Sequence, residues 1–214
     1  MTNASIFANL SASAIVLFAR LVTAVRAIWD GVGPVPSKRV YFANHTSNGD
    51  FVLIWAVLPP NLRRRTRPVA GSDYWLTSKL KRFIGRDVFN AVLIDRNPVT
   101  RKDDPIGQMT EALDAGSSLI LFPEGTRNTG NDPLLPFKTG LFHLASQRPD
   151  VDLVPVWIEN LNQVMPKGEI FPIPLICTVR FGEALRLQED ENKGEFLQRS
   201  HAALLALEDS GDAK

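Results

Sequence analysis

The sequence predicts an α/β fold: a mixed, largely parallel sheet flanked by helices, with an N-terminal amphipathic membrane-interface helix. Three observations lead there. Short apolar runs of strand character recur at Arg39–Ala43, Ala91–Ile94, Ser118–Phe122, Asp152–Ile158 and Leu175–Phe181. Segments with the three-four apolar spacing of helices separate them, an alternation that suits a sheet covered by helices. The first 29 residues carry one long helical pattern with a polar side.

The chain of 214 residues, 44% hydrophobic and 22% charged, is long enough for one domain with a sizeable core. The expected division is residues 1–30 as a membrane-associating helix and residues 31–214 as one globular domain. A net charge of +1 argues against a nucleic acid partner. One cysteine, Cys177, excludes an internal disulfide framework, and its apolar neighbours make it a core residue. With it, three histidines (His45, His143, His201) make a multi-ligand zinc site unexpected, so no metal is assigned.

In chain order, Ala4–Trp29 reads as one helix, with Phe7, Leu10, Ala14, Leu17, Leu21, Ala24 and Ile28 on one side. Its longest strictly apolar run, Ala14–Ala19, falls far short of the ~20 residues of a bilayer span. Arg20, Arg26 and Trp29 suit a membrane interface, and packing on the domain or on another subunit is the plainer alternative. Gly31–Pro36 breaks the helix. Phe51–Leu58 reads as a buried helix ended by Pro59 and Pro60. Arg63, Arg64, Arg65 and Arg67 form either a solvated loop or a patch for anionic headgroups. Helices are expected at Tyr74–Ile84, at Asp104–Ala115 with Gly116 as its stop, in a segment carrying His143 as a packing residue, and at Glu195–Leu207. Val154-Pro155-Val156 marks an edge strand or an irregular bend, Pro172 and Pro174 mark a loop, and the tail from Asp209 is expected to fray.

Chemistry concentrates in three turns that follow strands. The first is Asn44-His45-Thr46-Ser47-Asn48-Gly49-Asp50. His45 and Asp50 lie five residues apart, so one helix would place them ~140° apart around its axis. They meet only if His45 sits in the turn and Asp50 in the first helical turn, with Ser47 as N-cap. The carboxylate would then fix the imidazole tautomer and leave the other nitrogen free to take a proton, the base-plus-orienter half of a catalytic triad. A substrate hydroxyl could supply the nucleophile. The plain alternative is a capping box built by Ser47 and Asp50. The second turn, after Ile94, holds Arg96 at a strand end, a good place for an anion. The third, Pro123-Glu124-Gly125-Thr126-Arg127-Asn128, combines a glycine for close backbone approach with side chains for a polar ligand. Parallel strands would bring all three to the carboxyl ends of the sheet, where α/β folds bind ligands.

These residues are similar to the four ordered blocks of the glycerolipid acyltransferase family, typified by bacterial lysophosphatidate acyltransferase. N-H-x-S-x-x-D matches Asn44–Asp50, an apolar strand ending in arginine matches Val92–Arg96, F-P-E-G-T-R matches Phe122–Arg127, and V-P-V matches Val154–Val156. The resemblance covers residues ~40–160. It implies that residues 31–214 are an acyltransferase domain. That domain would move a fatty acyl group from a thioester of acyl carrier protein or coenzyme A to a lysophospholipid hydroxyl, most simply lysophosphatidate giving phosphatidate. Other acceptors, such as a lyso-aminolipid or a glycolipid, and an inactive membrane-binding scaffold are the alternatives. His45 would be the general base and Asp50 its orienter. Arg96, Glu124, Gly125, Thr126 and Arg127 would hold the acceptor's phosphate and glycerol region, with turn N–H groups near the oxyanion. The implied partners are a membrane surface, the lysophospholipid and the thioester co-substrate, with no further cofactor. The implied place is the cytoplasmic face of the inner membrane, peripheral or monotopic. No G-x-S-x-G nucleophile elbow is present in the sequence, so no acyl-enzyme is expected.

Overall fold

The computed structural model describes residues 3–97, 103–159 and 176–209. Pro98, Pro172, Pro174, Leu175 and the tail beyond Asp209, for which the sequence predicts turns, a loop, the start of a strand and fraying, lie outside them.

Seven strands form one sheet: β1 (Arg26–Trp29), β2 (Arg39–Ala43), β3 (Thr66–Gly71), β4 (Val92–Ile94), β5 (Ser118–Leu121), β6 (Asp152–Glu159) and β7 (Thr178–Phe181), in the order β1-β7-β6-β2-β5-β3-β4. Pairing is parallel throughout except between β6 and β7, so the β1–β7 pair runs against the other five. Strand β2 lies inside the sheet and all five of its residues are buried. Its side chains divide the core: Tyr41 and Ala43 face one layer, Val40 and Phe42 the other.

Helices α1 (Asn3–Thr23) and α2 (Asp50–Val57) cover the first face. On the second lie α6 (Pro105–Asp114), α7 (Gly140–Gln147) and α8 (Lys193–Asp209). Asp104 caps α6 by accepting from the N–H groups of Ile106 and Gly107, with Pro105 at the first helical position. Short helical turns α3 (Pro60–Arg63), α4 (Ser72–Trp75) and α5 (Lys79–Phe83) line the crossovers between β2 and β4, and a π-type turn at Ile84–Val88 follows them.

Five expectations are corrected. The N-terminal helix ends at Thr23, not Trp29, and Ala24 adopts a positive φ of 42°. Val25, Ala27 and Trp29 then alternate toward the core, and β1 pairs with β7. Trp29 stacks on Phe181 with ring centroids 3.9 Å apart. The apolar residues at 24–29 fit a period of two as well as a helical one, and an available sheet partner decides. Second, the basic stretch hides strand β3, and Arg63 of that stretch, with Arg20 of α1, binds the end of α2. Arg63 donates to the carbonyls of Trp55, Ala56 and Leu58, and Arg20 donates to Ala56 O at 2.9 Å. Both guanidinium groups satisfy C-terminal carbonyls of α2, where a cation also suits the helix dipole. Third, Tyr74–Ile84 is two helical turns separated at Thr77, because Ser78 caps the second by accepting from Lys81 N–H. Fourth, Pro155 sits in an interior strand paired with Phe42, and its carbonyl accepts from Gly182 N–H. His143, expected to pack, is exposed on α7.

Candidate active site

Strand β2 delivers the first turn to the carboxyl end of the sheet. Asn44, just past the strand, continues the pairing with its side chain: Nδ2 donates to Ile158 O at 3.0 Å and Oδ1 accepts from Ile158 N–H at 2.8 Å. The turn then closes onto Asp50, the first residue of α2, which is fully buried. One carboxylate oxygen, Oδ2, accepts from His45 Nδ1 at 2.8 Å, Thr46 N–H at 2.7 Å and Ser47 N–H at 2.9 Å. Oδ1 is buried with no hydrogen-bond partner. The N-cap position belongs to Gly49, and Ser47 Oγ accepts from Gly49 N–H, so the expected Ser47 cap is displaced by two residues. Asp50 thus gathers the turn's amides and the imidazole at once, and the capping and orienting readings describe the same carboxylate.

A carboxylate only accepts, which assigns the His45 proton to Nδ1 and leaves Nε2 as a lone-pair nitrogen. The ring stacks on Phe122 at 4.2 Å with 20° between planes, and it borders a cavity of about 510 Å³. The ring is therefore fixed by one edge bond and one apolar face.

Strand β5 delivers the third turn beside the first. Glu124 is 1% exposed, and its oxygens accept from the N–H groups of His45 (2.7 Å) and Leu135 (3.0 Å). Its side chain does not line the cavity, unlike those of its neighbours in the turn, Thr126 and Arg127. This corrects the expected acceptor contact for Glu124: a carboxylate in a glycine-bearing turn reads as a ligand group, whereas here burial and two amides make it a tie between loops. Burial raises its pKa, opposed by the backbone N–H groups of Leu135 and His45. Asn128 N–H donates to His45 O at 2.6 Å, a second tie between the same turns. Gly125 has a φ of +71°, which favours glycine, and a Cβ there would press on the Lys138 side chain, 3.1 Å from its Cγ.

Gly125, Thr126 and Arg127 line the cavity with His45, Phe51, Tyr74 and Trp75. Arg96 reaches it from the turn after β4 and makes a two-point ion pair with Asp73, Nε to Oδ1 at 3.2 Å and Nη2 to Oδ2 at 2.6 Å. Five of the seven expected residues, His45, Arg96, Gly125, Thr126 and Arg127, line one cavity, and Asp50 and Glu124 hold His45 from behind it. Sequence reasoning missed Asp73, because an acid in Ser72-Asp73-Tyr74 reads as a helix-start residue. It also missed Phe122 as a ring support, although its place one residue past β5 on the cavity side was the available signal. Among the described residues no group of three or more His, Cys, Asp or Glu side chains is placed to hold a metal ion.

Comparison with known proteins agrees with this geometry. A family model described as Acyltransferase matches residues 32–159. The chain is 34% identical over 138 residues to the 1-acyl-sn-glycerol-3-phosphate acyltransferase of Escherichia coli, covering 58% of this chain and 51% of that protein. It is 32% identical over 175 residues to the 1-acyl-sn-glycerol-3-phosphate acyltransferase alpha of Mus musculus, covering 78% and 57%. The chain spans about half the length of the curated relatives it matches. The crystal structure of the 1-acyl-sn-glycerophosphate acyltransferase PlsC from Thermotoga maritima superposes with a TM-score of 0.70 over the whole of this chain and 85% of that one, at 18% identity, which is a likeness of fold. The matched segment takes in both turns that hold His45 and Arg127, and this chain belongs to the acyltransferase family.

Proposed function

We propose that this protein transfers a fatty acyl group from an acyl thioester to the free hydroxyl of lysophosphatidate, giving phosphatidate. The observation that carries the reading is the His45–Asp50 pair: a tautomer fixed by a buried carboxylate, with Nε2 left for the cavity. The family, and relatives that are 1-acyl-sn-glycerol-3-phosphate acyltransferases, support the acceptor.

In this mechanism His45 Nε2 takes the proton of the acceptor hydroxyl as its oxygen attacks the thioester carbonyl carbon. Asp50 stabilises the imidazolium that forms. The tetrahedral intermediate then collapses, the C–S bond breaks, and the imidazolium returns its proton to the leaving thiolate. No protein atom becomes acylated, so both substrates are present together. Arg127 and Arg96 border the cavity and offer donors to the acceptor's phosphate, while Glu124 keeps the His45 turn in place from behind. The donor is a thioester of acyl carrier protein or of coenzyme A.

The reaction is proposed at the cytoplasmic face of the inner membrane. Contrary to the expectation from its longest strictly apolar run, residues 6–23 of α1 form a helix long and apolar enough by length and composition to cross a bilayer. Its buried face, with Val16 and Ala19, packs on the domain, while Phe7, Leu10, Leu17, Phe18 and Leu21 are exposed. Phe7 contacts Phe83, and exposed Leu80 and Tyr74 belong to the adjoining helical turns, Tyr74 also bordering the cavity. An apolar face continuous with the cavity mouth fits a helix lying in the interface while docked to its domain.

The test is thiol release from acyl-coenzyme A and from acyl carrier protein thioesters, with and without lysophosphatidate, in the wild type and in His45→Ala. Release that needs the acceptor and is lost in the variant is expected. Acceptor-independent release, or none with any lysolipid, would overturn the proposal.

A further inference from the structure

The Arg96–Asp73 pair is a built feature of the cavity. It lies directly over Gly71, the last residue of β3: a Cβ at Gly71 would stand 2.3 Å from Asp73 Oδ1 and 2.5 Å from Arg96 Nε. A side chain there would make the two groups shift, so glycine leaves the strand end open for them in this position. Asp73 lies in the first turn of the short helix α4, while Arg96 comes from the turn after the neighbouring strand, and β3 and β4 run in parallel register at Gly71 and Ile94. The backbone thus fixes both partners at one corner of the cavity. Arg96 holds the Asp73 carboxyl below its ordinary pKa, chiefly through the side-chain hydrogen bond, so the carboxylate stays charged.

Charge in the cavity then sums in a particular way. Arg127 supplies one cation, Arg96 a second, and Asp73 cancels one of them. A phosphate monoester near pH 7 carries close to two negative charges, since its second pKa is about 6. Asp73 occupies the Nε–H and one Nη2–H of Arg96 and leaves the remaining N–H donors for an anion, but its own negative charge then stands beside the bound phosphate. A phosphodiester carries one charge and is repelled less by that carboxylate.

We propose that Asp73 is a specificity-determining residue: by occupying Arg96 it weakens the cavity's hold on dianionic phosphomonoester acceptors relative to singly charged phosphodiester ones. The inference rests on the acyl-transfer reading for its kinetic form. Both groups are half exposed or more, so the effect is a modest one.

The experiment compares lysophosphatidate with lysophosphatidylglycerol, each at fixed mole fraction in neutral detergent micelles, for the wild type, Asp73→Asn and Asp73→Glu. Asp73→Asn is expected to lower KM for lysophosphatidate about two- to fivefold, with kcat and the KM for lysophosphatidylglycerol little changed. Asp73→Glu, which keeps the charge, should stay near the wild-type ratio. A higher lysophosphatidate KM in Asp73→Asn would show that Asp73 serves to hold Arg96 in position, and an equal change for both acceptors would show no selection by charge; either overturns the proposal. Should wild-type protein release no thiol with either acceptor, the acyl-transfer reading fails. Equilibrium binding of lysophosphatidate in the same micelles then decides separately, with tighter binding by Asp73→Asn expected and unchanged or weaker binding overturning it.

Discussion

At the β2–β5 side of the cavity, His45 is held from every direction: Asp50 on its Nδ1, Phe122 on its face, Glu124 on its amide and Asn128 on its carbonyl. At the β3–β4 side, Arg96 pairs among the described residues with Asp73, and both are half exposed or more. The two sides meet different demands. Proton transfer fails with a small misplacement of the base, so the geometry must be set before substrate arrives. An anion can be met by a long, mobile cation that trades one partner for another. Rigidity is spent where an atom must move between fixed points, and exchangeability where only charge must be matched.

The largest effect belongs to the rigid side. His45→Ala should lower kcat by about 10²–10⁴ with the fold retained, since the turn's amides still bind Asp50. Asp50→Asn should be severely impaired as well: an amide can accept from Nδ1–H but does not stabilise the imidazolium as a carboxylate does. Circular dichroism and melting beside steady-state rates separate chemistry from unfolding. A folded His45→Ala protein with near-normal turnover would break the comparison, because the rigid side would then serve packing alone.

On the exchangeable side, Arg127→Ala should chiefly raise acceptor KM. A charge-assisted hydrogen bond contributes about 1.5–3 kcal/mol, which corresponds to roughly ten- to hundredfold in KM. Donor KM and kcat should change little. An effect confined to the donor would reassign Arg127 to the thioester's carrier.

Much of this contrast was legible in the sequence. A histidine and an aspartate five residues apart between a strand and a helix can meet only across a turn, and they do. Three polar turns after apolar strands implied a shared end of a parallel sheet, which β2, β4 and β5 form. What stayed hidden involves partners distant in the chain. Glu124 looks like a ligand group until Leu135 and His45 donate to it. Arg63 looks like a surface cation until the end of α2 presents its carbonyls. Residues 26–29 carry a pattern fit for either periodicity until β7 offers an edge. Asp73 and Arg96 are separated by 23 residues, and only the β3–β4 register brings them together.

The tie behind His45 gives a smaller, thermodynamic prediction. Glu124→Gln keeps the shape of the side chain but turns an NH₂ toward one of the two amides it serves. One buried N–H loses its acceptor, at a cost of about 1–3 kcal/mol in stability, read as a lowered denaturation midpoint.

The smallest effect is the pH dependence of that difference, and its sign is decided by two opposing causes. Burial disfavours the Glu124 carboxylate, while the Leu135 and His45 amides favour it, and burial is the larger. The folded pKa therefore lies above the ordinary value of 4.5. A group raised in this way contributes stability that is fully present below its unfolded pKa and is lost as pH rises through the folded one. The stability gap between wild type and Glu124→Gln should accordingly be widest at acid pH and narrow as pH rises above 4.5. Denaturant titrations of both proteins across that interval, taken as a difference so that other carboxylates cancel, measure it. A gap that widens with rising pH would mean the two amides outweigh burial. The tie would then be an anion clasp stabilising the charged form, and the rigid side of the cavity would owe more to electrostatics than to packing.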